Sequence, residues 1–169
     1  RLHYNMAAAY INIKGSLTDA ILELEKAVSL DFPEKKAFGA LGKAYLLKGR
    51  THDAIGVMRK AFDVDPHKHD IYNGLGGAYF VNGMIEEAIS NYKEGVRENP
   101  DYDELQYNVA NVYVYVDSLD KAVFHYTEVL RINSDYADAH NNLGNVYLIK
   151  GKIERAIFHF KEALRIYPD

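Results

Sequence analysis

The 169-residue chain contains no cysteine. A disulfide framework and a thiolate metal site are therefore excluded, and the redox compartment stays open. There is no excess of positive charge: 20 Lys and Arg stand against 24 Asp and Glu, a formal net charge of −4. That balance speaks against nucleic acid or an anionic membrane surface as a partner. No apolar run approaches the roughly 18–20 residues that a membrane span requires, so no direct membrane insertion is expected. The chain starts at Arg1 without a signal-peptide pattern, which reads as a fragment of a longer protein, with a cytoplasmic setting expected. Only four prolines occur, three of them near 34-residue spacing at Pro66, Pro100 and Pro168.

What is present is a period. "LGKAY" at 41–45, "LGGAY" at 75–79, "VANVY" at 109–113 and "LGNVY" at 143–147 begin 34 residues apart. Tyr45, Tyr79, Tyr113 and Tyr147 keep that spacing, as do Ala20, Ala54, Ala88, Ala122 and Ala156. Gly15, Gly49 and Gly83 share it with Gly151, and Asp117 takes the place between. Five units tile the chain: 1–34, 35–68, 69–102, 103–136 and 137–169. Within each, positions 1–14 and 18–31 read as helices A and B. Glycine at position 15 supplies the left-handed residue that ends helix A. Alanine at position 20 and the small residue at position 8 let the two helices approach, and proline stops helix B. One unit cannot bury its own apolar face, so the units must stack.

Two stretches invite other readings. "VYVYV" at 112–116 alternates like a strand, but the repeat register runs through it and predicts helix. "GLGGAY" at 74–79 has the glycines of a phosphate loop without the preceding strand such a loop needs; no nucleotide or other cofactor is expected. "HKH" at 67–69, His125 and His159 lack a third ligand in sequence, so no metal is expected, and the seven histidines are read as solvated. Paired acids such as Glu86 and Glu87 fall where they favour a helix N-terminus. No catalytic constellation is found, and the chain is read as non-catalytic.

The period and its small, aromatic and proline positions resemble the tetratricopeptide repeat family over the whole chain. In the last unit the match runs through Leu143, Gly144, Tyr147, Gly151, Ala156, Phe160, Ala163 and Pro168. The resemblance implies an all-α solenoid of five helix–turn–helix repeats wound into a right-handed superhelix. It implies a protein-interaction module that takes an extended or helical peptide segment in a concave groove lined by the A helices. The alternative is the substrate-presenting arm of a larger enzyme such as a glycosyltransferase. Family groove positions carry Lys43, Asn73, Gly74, Gly77, Tyr107, Asn108, Asn111, Tyr115, Asn142 and Asn145 here.

The pairs Asn108 with Asn111 and Asn142 with Asn145 each share one helix face. An amide both donates and accepts, so each asparagine could hold a peptide group bidentately. The arrangement resembles the asparagine ladder in the tetratricopeptide arm of O-linked N-acetylglucosamine transferase, although only two of five repeats carry it. Gly39, Ala40, Gly74 and Gly77, all small, suggest a hollow in the middle of the groove. The lysine-based carboxylate clamp for chaperone tails is not matched. Leu2, Met6, Tyr10 and Ile13 at one end, and Phe160, Leu164, Ile166 and Tyr167 at the other, lack a covering helix. Weak end-to-end self-association is expected from them.

Overall fold

The computed structural model describes residues 16–30, 35–64 and 69–168. Expectations on residues 1–15, Pro33, Pro66 and His67 lie outside them. Nine α-helices and no strand occur among the described residues: α1 (Leu17–Val28), α2 (Lys35–Leu47), α3 (Thr51–Val64), α4 (His69–Val81), α5 (Ile85–Glu98), α6 (Asp103–Tyr115), α7 (Leu119–Ile132), α8 (Ala137–Ile149) and α9 (Ile153–Ile166). In the four units from Lys35 onward helix A thus occupies positions 1–13 and helix B positions 17–30, and in the first unit the described helix covers positions 17–28, so helix B starts one residue earlier than the sequence pattern suggested. The strand-like 112–116 stretch is helical up to Tyr115.

Short bends join the two helices of a pair, and each is closed in the same way. Gly49, Gly83 and Gly151 have φ of 73°, 76° and 68°. After α2 the Gly49 N–H donates to the Leu46 carbonyl and the Arg50 N–H to the Tyr45 carbonyl, at 2.9 and 2.8 Å. This is the paired 5→2 and 6→1 bonding of a Schellman ending. Asp117 performs the same turn without being glycine. Its φ is 55°, its N–H donates to Val114 at 3.0 Å, and Ser118 donates to Tyr113 at 2.8 Å. Aspartate tolerates the left-handed region better than most residues.

The chain divides into two compact units, Arg1–Ala88 and Ile89–Asp169, with the division inside α5. In the first, Ala20, Leu24, Leu41, Ala54 and Met58 are almost fully buried between α1, α2 and α3. Met58 defines the tightest packing. A Cβ on Gly42 would lie 2.6 Å from its Cγ and Cε, and one on Gly74 would lie 2.7 Å from its Cε. The thioether is wedged between two glycine backbones, one in its own repeat and one in the next. In the second unit Leu105, Val109, Tyr126, Val129, Leu143 and Val146 form the equivalent interior of α6, α7 and α8. Phe160 of α9 lies against Gly144, where a Cβ would come within 2.7 Å of its ring.

Polar links repeat with the period. The Tyr45 hydroxyl donates to Glu25 at 2.6 Å, and Arg59 donates to the Tyr79 hydroxyl at 2.7 Å. Each joins position 11 to position 25 of the unit before, with the phenol donating in one case and accepting in the other. In the second unit Arg131 pairs with Asp101 at 2.6 Å and Arg165 with Asp135 at 2.8 Å, both spanning 30 residues. These exposed pairs are worth about 0–1 kcal/mol each and set register more than stability.

Candidate functional site

The residues expected to bind ligand lie on the A helices and are described by unit. In the first, Lys43 is exposed, and Asn73, Gly74 and Gly77 are half-buried. The hollow expected at Gly74 is filled from inside: Met58 occupies the volume that a side chain there would take. This corrects the reading of Gly74 as open space for a ligand. Gly39 does face open space, with no atom within 4 Å of an added Cβ.

In the second unit the asparagines converge. Asn111, Val114, Tyr126, Asn142, Asn145, Val146 and Ile149 line a 180 Å³ cavity built on α6, α7 and α8. Tyr126 forms part of its floor and is 1% exposed. The Tyr126 hydroxyl donates to Asn111 Oδ1 at 2.5 Å. Asn142 Nδ2 donates to the same oxygen at 3.3 Å and to the Tyr107 hydroxyl at 3.0 Å. Tyr107 is held in turn by stacking on Tyr136, ring centroids 5.1 Å apart, and edge-on against Tyr126 at 5.9 Å. Burial pushes both phenols up; hydrogen bonding from Asn111 and Asn142 opposes it in part at Tyr107, and from Asn142 at Tyr126. Both hydroxyls are therefore protonated at neutral pH.

The expectation that each asparagine grips a ligand bidentately is therefore corrected for Asn111 and Asn142. Part of each amide is spent inside the protein. Asn145 remains exposed, Asn108 is half-buried, and Tyr115 projects with 68% of its surface exposed. Tyr126, at position 24, was missed by the sequence reading. Its 34-residue spacing from Tyr92 and Phe160 was the signal that could have found it.

A second polar cluster lies between α6, α7, α8 and α9, and it overturns the reading of all seven histidines as solvated. Gln106 is 3% exposed and His140 7%. Gln106 Nε2 donates to the Pro100 carbonyl at 3.1 Å, and its Oε1 faces His125 Nδ1 at 2.7 Å. One repeat later His140 Nε2 faces the Ser134 carbonyl at 3.1 Å, and its Nδ1 faces His159 Nδ1 at 3.0 Å. A carbonyl only accepts, so His140 carries its proton on Nε2. His159 must then donate from Nδ1. His125 donates from Nδ1 likewise, because the Gln106 oxygen accepts. Burial is the main cause that depresses both His125 and His159 to about 4; the neighbouring His140 adds to it at His159. The His125 and His159 rings are neutral structural pins. His140, His159, Leu143, Tyr147 and Phe158 also border a 430 Å³ cleft.

Among the described residues no group of three or more His, Cys, Asp or Glu side chains could hold a metal ion, and no helix is long and apolar enough to cross a membrane.

Comparison with known proteins follows this geometry. A family model described as tetratricopeptide repeat matches residues 40–103, another of that description matches 137–169, and a TPR repeat model matches 117–148. No curated protein matches the sequence. Among solved structures, MamA is 28% identical with a TM-score of 0.82, over 92% of this chain and 91% of that one. YrrB, described as a TPR protein with an unusual peptide-binding site, is 23% identical with a TM-score of 0.75, over 99% and 86%. A thermophilic TPR protein of Thermus thermophilus is 22% identical with a TM-score of 0.78, over 99% and 91%. With its 34-residue period, its left-handed bends and these matches together, the chain belongs to the tetratricopeptide repeat family, an all-α solenoid family of protein-interaction modules.

Proposed function

We propose that this protein is a non-catalytic binding module that takes an extended or helical segment of another protein on the A-helix faces of its repeats. One observation carries the reading. Position 13 of helix A is apolar in four successive repeats yet faces solvent: Leu47 is 73% exposed, Val81 74%, Tyr115 68% and Ile149 65%. An exposed apolar side chain that recurs at one position of successive repeats is a surface that a protein partner would cover. Beside them, within the second unit, lie the polar groups of Asn108, Asn111, Asn142 and Asn145 with Tyr107. In the first unit Lys43, Asn73 and Gly77 occupy the corresponding face.

The test is a partner titration. Replacing Asn108 and Asn145 together by alanine is expected to weaken binding roughly tenfold, since each neutral hydrogen bond contributes about 0.5–1.5 kcal/mol net. Circular dichroism and melting of the variant check that the helical array stays intact. Unchanged affinity for a genuine partner would remove the asparagines from the site.

A second reading, self-association, rests on α9. In α7 the inward positions are sealed, Tyr126 at 1% and Val129 at 0% exposure. The matching Phe160 and Ala163 of α9 are only half-buried, and Ile153, Ile157 and Leu164 are 48–59% exposed. Covering an apolar side chain is worth roughly 1.5–3 kcal/mol. This chain on its own is expected to associate weakly through that face. Appending a polar amphipathic helix after Asp169 should suppress the association and raise the melting temperature. A strictly monomeric sedimentation profile at high concentration, with no gain from the helix, would refute it.

A further inference from the structure

In the first unit a long side chain at position 25 reaches the hydroxyl at position 11 of the next repeat. Glu25 accepts from Tyr45 at 2.6 Å, and Arg59 donates to Tyr79 at 2.7 and 3.1 Å. Between the last two repeats position 25 is Thr127, whose hydroxyl turns back to the Val123 carbonyl of its own helix at 2.8 Å. Tyr147 still occupies position 11 and is 7% exposed. Its ring stacks on His159, centroids 5.5 Å apart, but its hydroxyl has no hydrogen bond among the described residues. Where the long side chain is missing, the 430 Å³ cleft stands open, and both Thr127 and Tyr147 line it.

A phenol this deeply buried calls for a partner. The chain itself shows two that fit the place, a carboxylate and a guanidinium. The histidines decide between them. His140 Nε2 donates to the Ser134 carbonyl, so His140 Nδ1 accepts from His159 Nδ1. A neutral His159 then presents Nε2 as a bare acceptor, on a ring that lines the same cleft. A carboxylate would set its lone pairs against that nitrogen. A guanidinium has five N–H donors in a planar fork and no acceptor, so it satisfies both groups. Leu130, Leu143 and Phe158 add apolar wall, which suits the methylene stem of an arginine. Arg131 at the rim is already paired with Asp101 and Glu128, and Arg155 and Glu162 bring opposite charges to the surroundings of His159.

We propose that this cleft takes the guanidinium of an arginine carried by a partner protein, which donates to the Tyr147 hydroxyl oxygen and to His159 Nε2. The arginine stands against Tyr147 as Arg59 stands against Tyr79, supplied by another molecule. The site shares no lining residue with the cavity of Asn111 and Asn142, so it does not depend on the groove reading above.

The probe is N-acetyl-arginine N-methylamide, titrated at pH 7 while the ring resonances of Tyr147 and His159 are followed by nuclear magnetic resonance. The citrulline analogue is the neutral isostere, and the glutamate analogue carries the carboxylate. The arginine probe should shift both rings with a dissociation constant of about 1–10 mM, the range of a single small contact. The citrulline analogue, and the arginine probe on Tyr147→Phe, should each bind roughly fivefold more weakly, as loss of one hydrogen bond requires. Thr127→Arg should fill the cleft from within. It should expel the probe and raise the melting temperature by roughly 3 °C. Arginine also has the better helix propensity, so the same change is made in the Tyr147→Phe background, where the gain should fall by half or more. Equal affinity for arginine and citrulline, tighter binding of glutamate, or no response of either ring up to about 20 mM arginine probe would overturn the proposal. So would a Thr127→Arg gain that Tyr147→Phe leaves intact.

Discussion

Placing alanine at both Gly42 and Gly74 is expected to lower stability by about 3 kcal/mol, a drop near 6–12 °C in melting temperature for a chain of this size. Helix propensity alone argues the other way, by up to ~1 kcal/mol gained per glycine replaced. The slot decides the sign. Met58 is 1% exposed, and the added methyl groups would sit 2.6 and 2.7 Å from its atoms, one from each glycine. With one methyl added, the flexible thioether can shift toward the other glycine. With two, that route is closed, so the double change should cost more than the sum of the single ones. Truncating Met58 to alanine on the double-alanine background should restore part of the loss, because the methyls then fill the vacated space. A double variant that melts at or above the parent would show the slot to be roomy.

Acid should weaken the protein well before its ordinary carboxylates protonate. His125 and His159 are held at about 4 in the folded chain, mainly by burial, against about 6.5 when unfolded. The unfolded state therefore binds more protons between these values. Stability is fully present above pH 6.5 and is lost as pH falls from there toward 4. Both rings are half-exposed and screened by solvent, so the loss from pH 7 to 5 is set at roughly 1 kcal/mol per ring, together about 4–8 °C in melting temperature. A proton on Nε2 of either ring leaves its Nδ1–H bond in place; the penalty comes from charging a ring packed against protein. Around His159 the charge of Arg155 opposes the proton and Glu162 favours it; Lys93 and Glu128 play those parts at His125. His125→Gln should lower the melting temperature at pH 7 yet flatten its fall toward pH 5. Equal melting temperatures at pH 7 and 5 in the parent would contradict the assignment.

These two expectations mark where sequence reading succeeded and where it stopped. The helix pairs, the left-handed bends and the helicity of 112–115 were legible because each depends on one residue in a periodic frame. Asp117 was recognised as the exception at the bend, and it adopts the glycine conformation. The A-helix asparagines were legible as a surface. Their engagement inside the protein was not, since the Tyr126 hydroxyl that meets Asn111 arrives from a B helix. His140 and His159 looked solvated because each is unremarkable on its own helix. They meet only when position 4 of one helix faces position 23 of the next. Gly74 looked like an opening because sequence shows what is missing from a residue and not what a neighbour puts there.

The links between neighbouring repeats have one further consequence. Arg131 to Asp101 and Arg165 to Asp135 both span 30 residues, and Gln106 to Pro100 and His140 to Ser134 both span six. Every such link is counted from the local repeat, and stability in such arrays comes from nearest neighbours. The gene should therefore tolerate changes of length in a quantised way. Duplicating the 34 codons of residues 103–136 in frame would reproduce each link at its own spacing. Inserting a single codon within α7 would turn every later residue of that helix by about 100°, carrying Val129 off the core and Arg131 away from Asp101. A coding sequence of this kind grows or shrinks by whole repeats far more readily than by single residues.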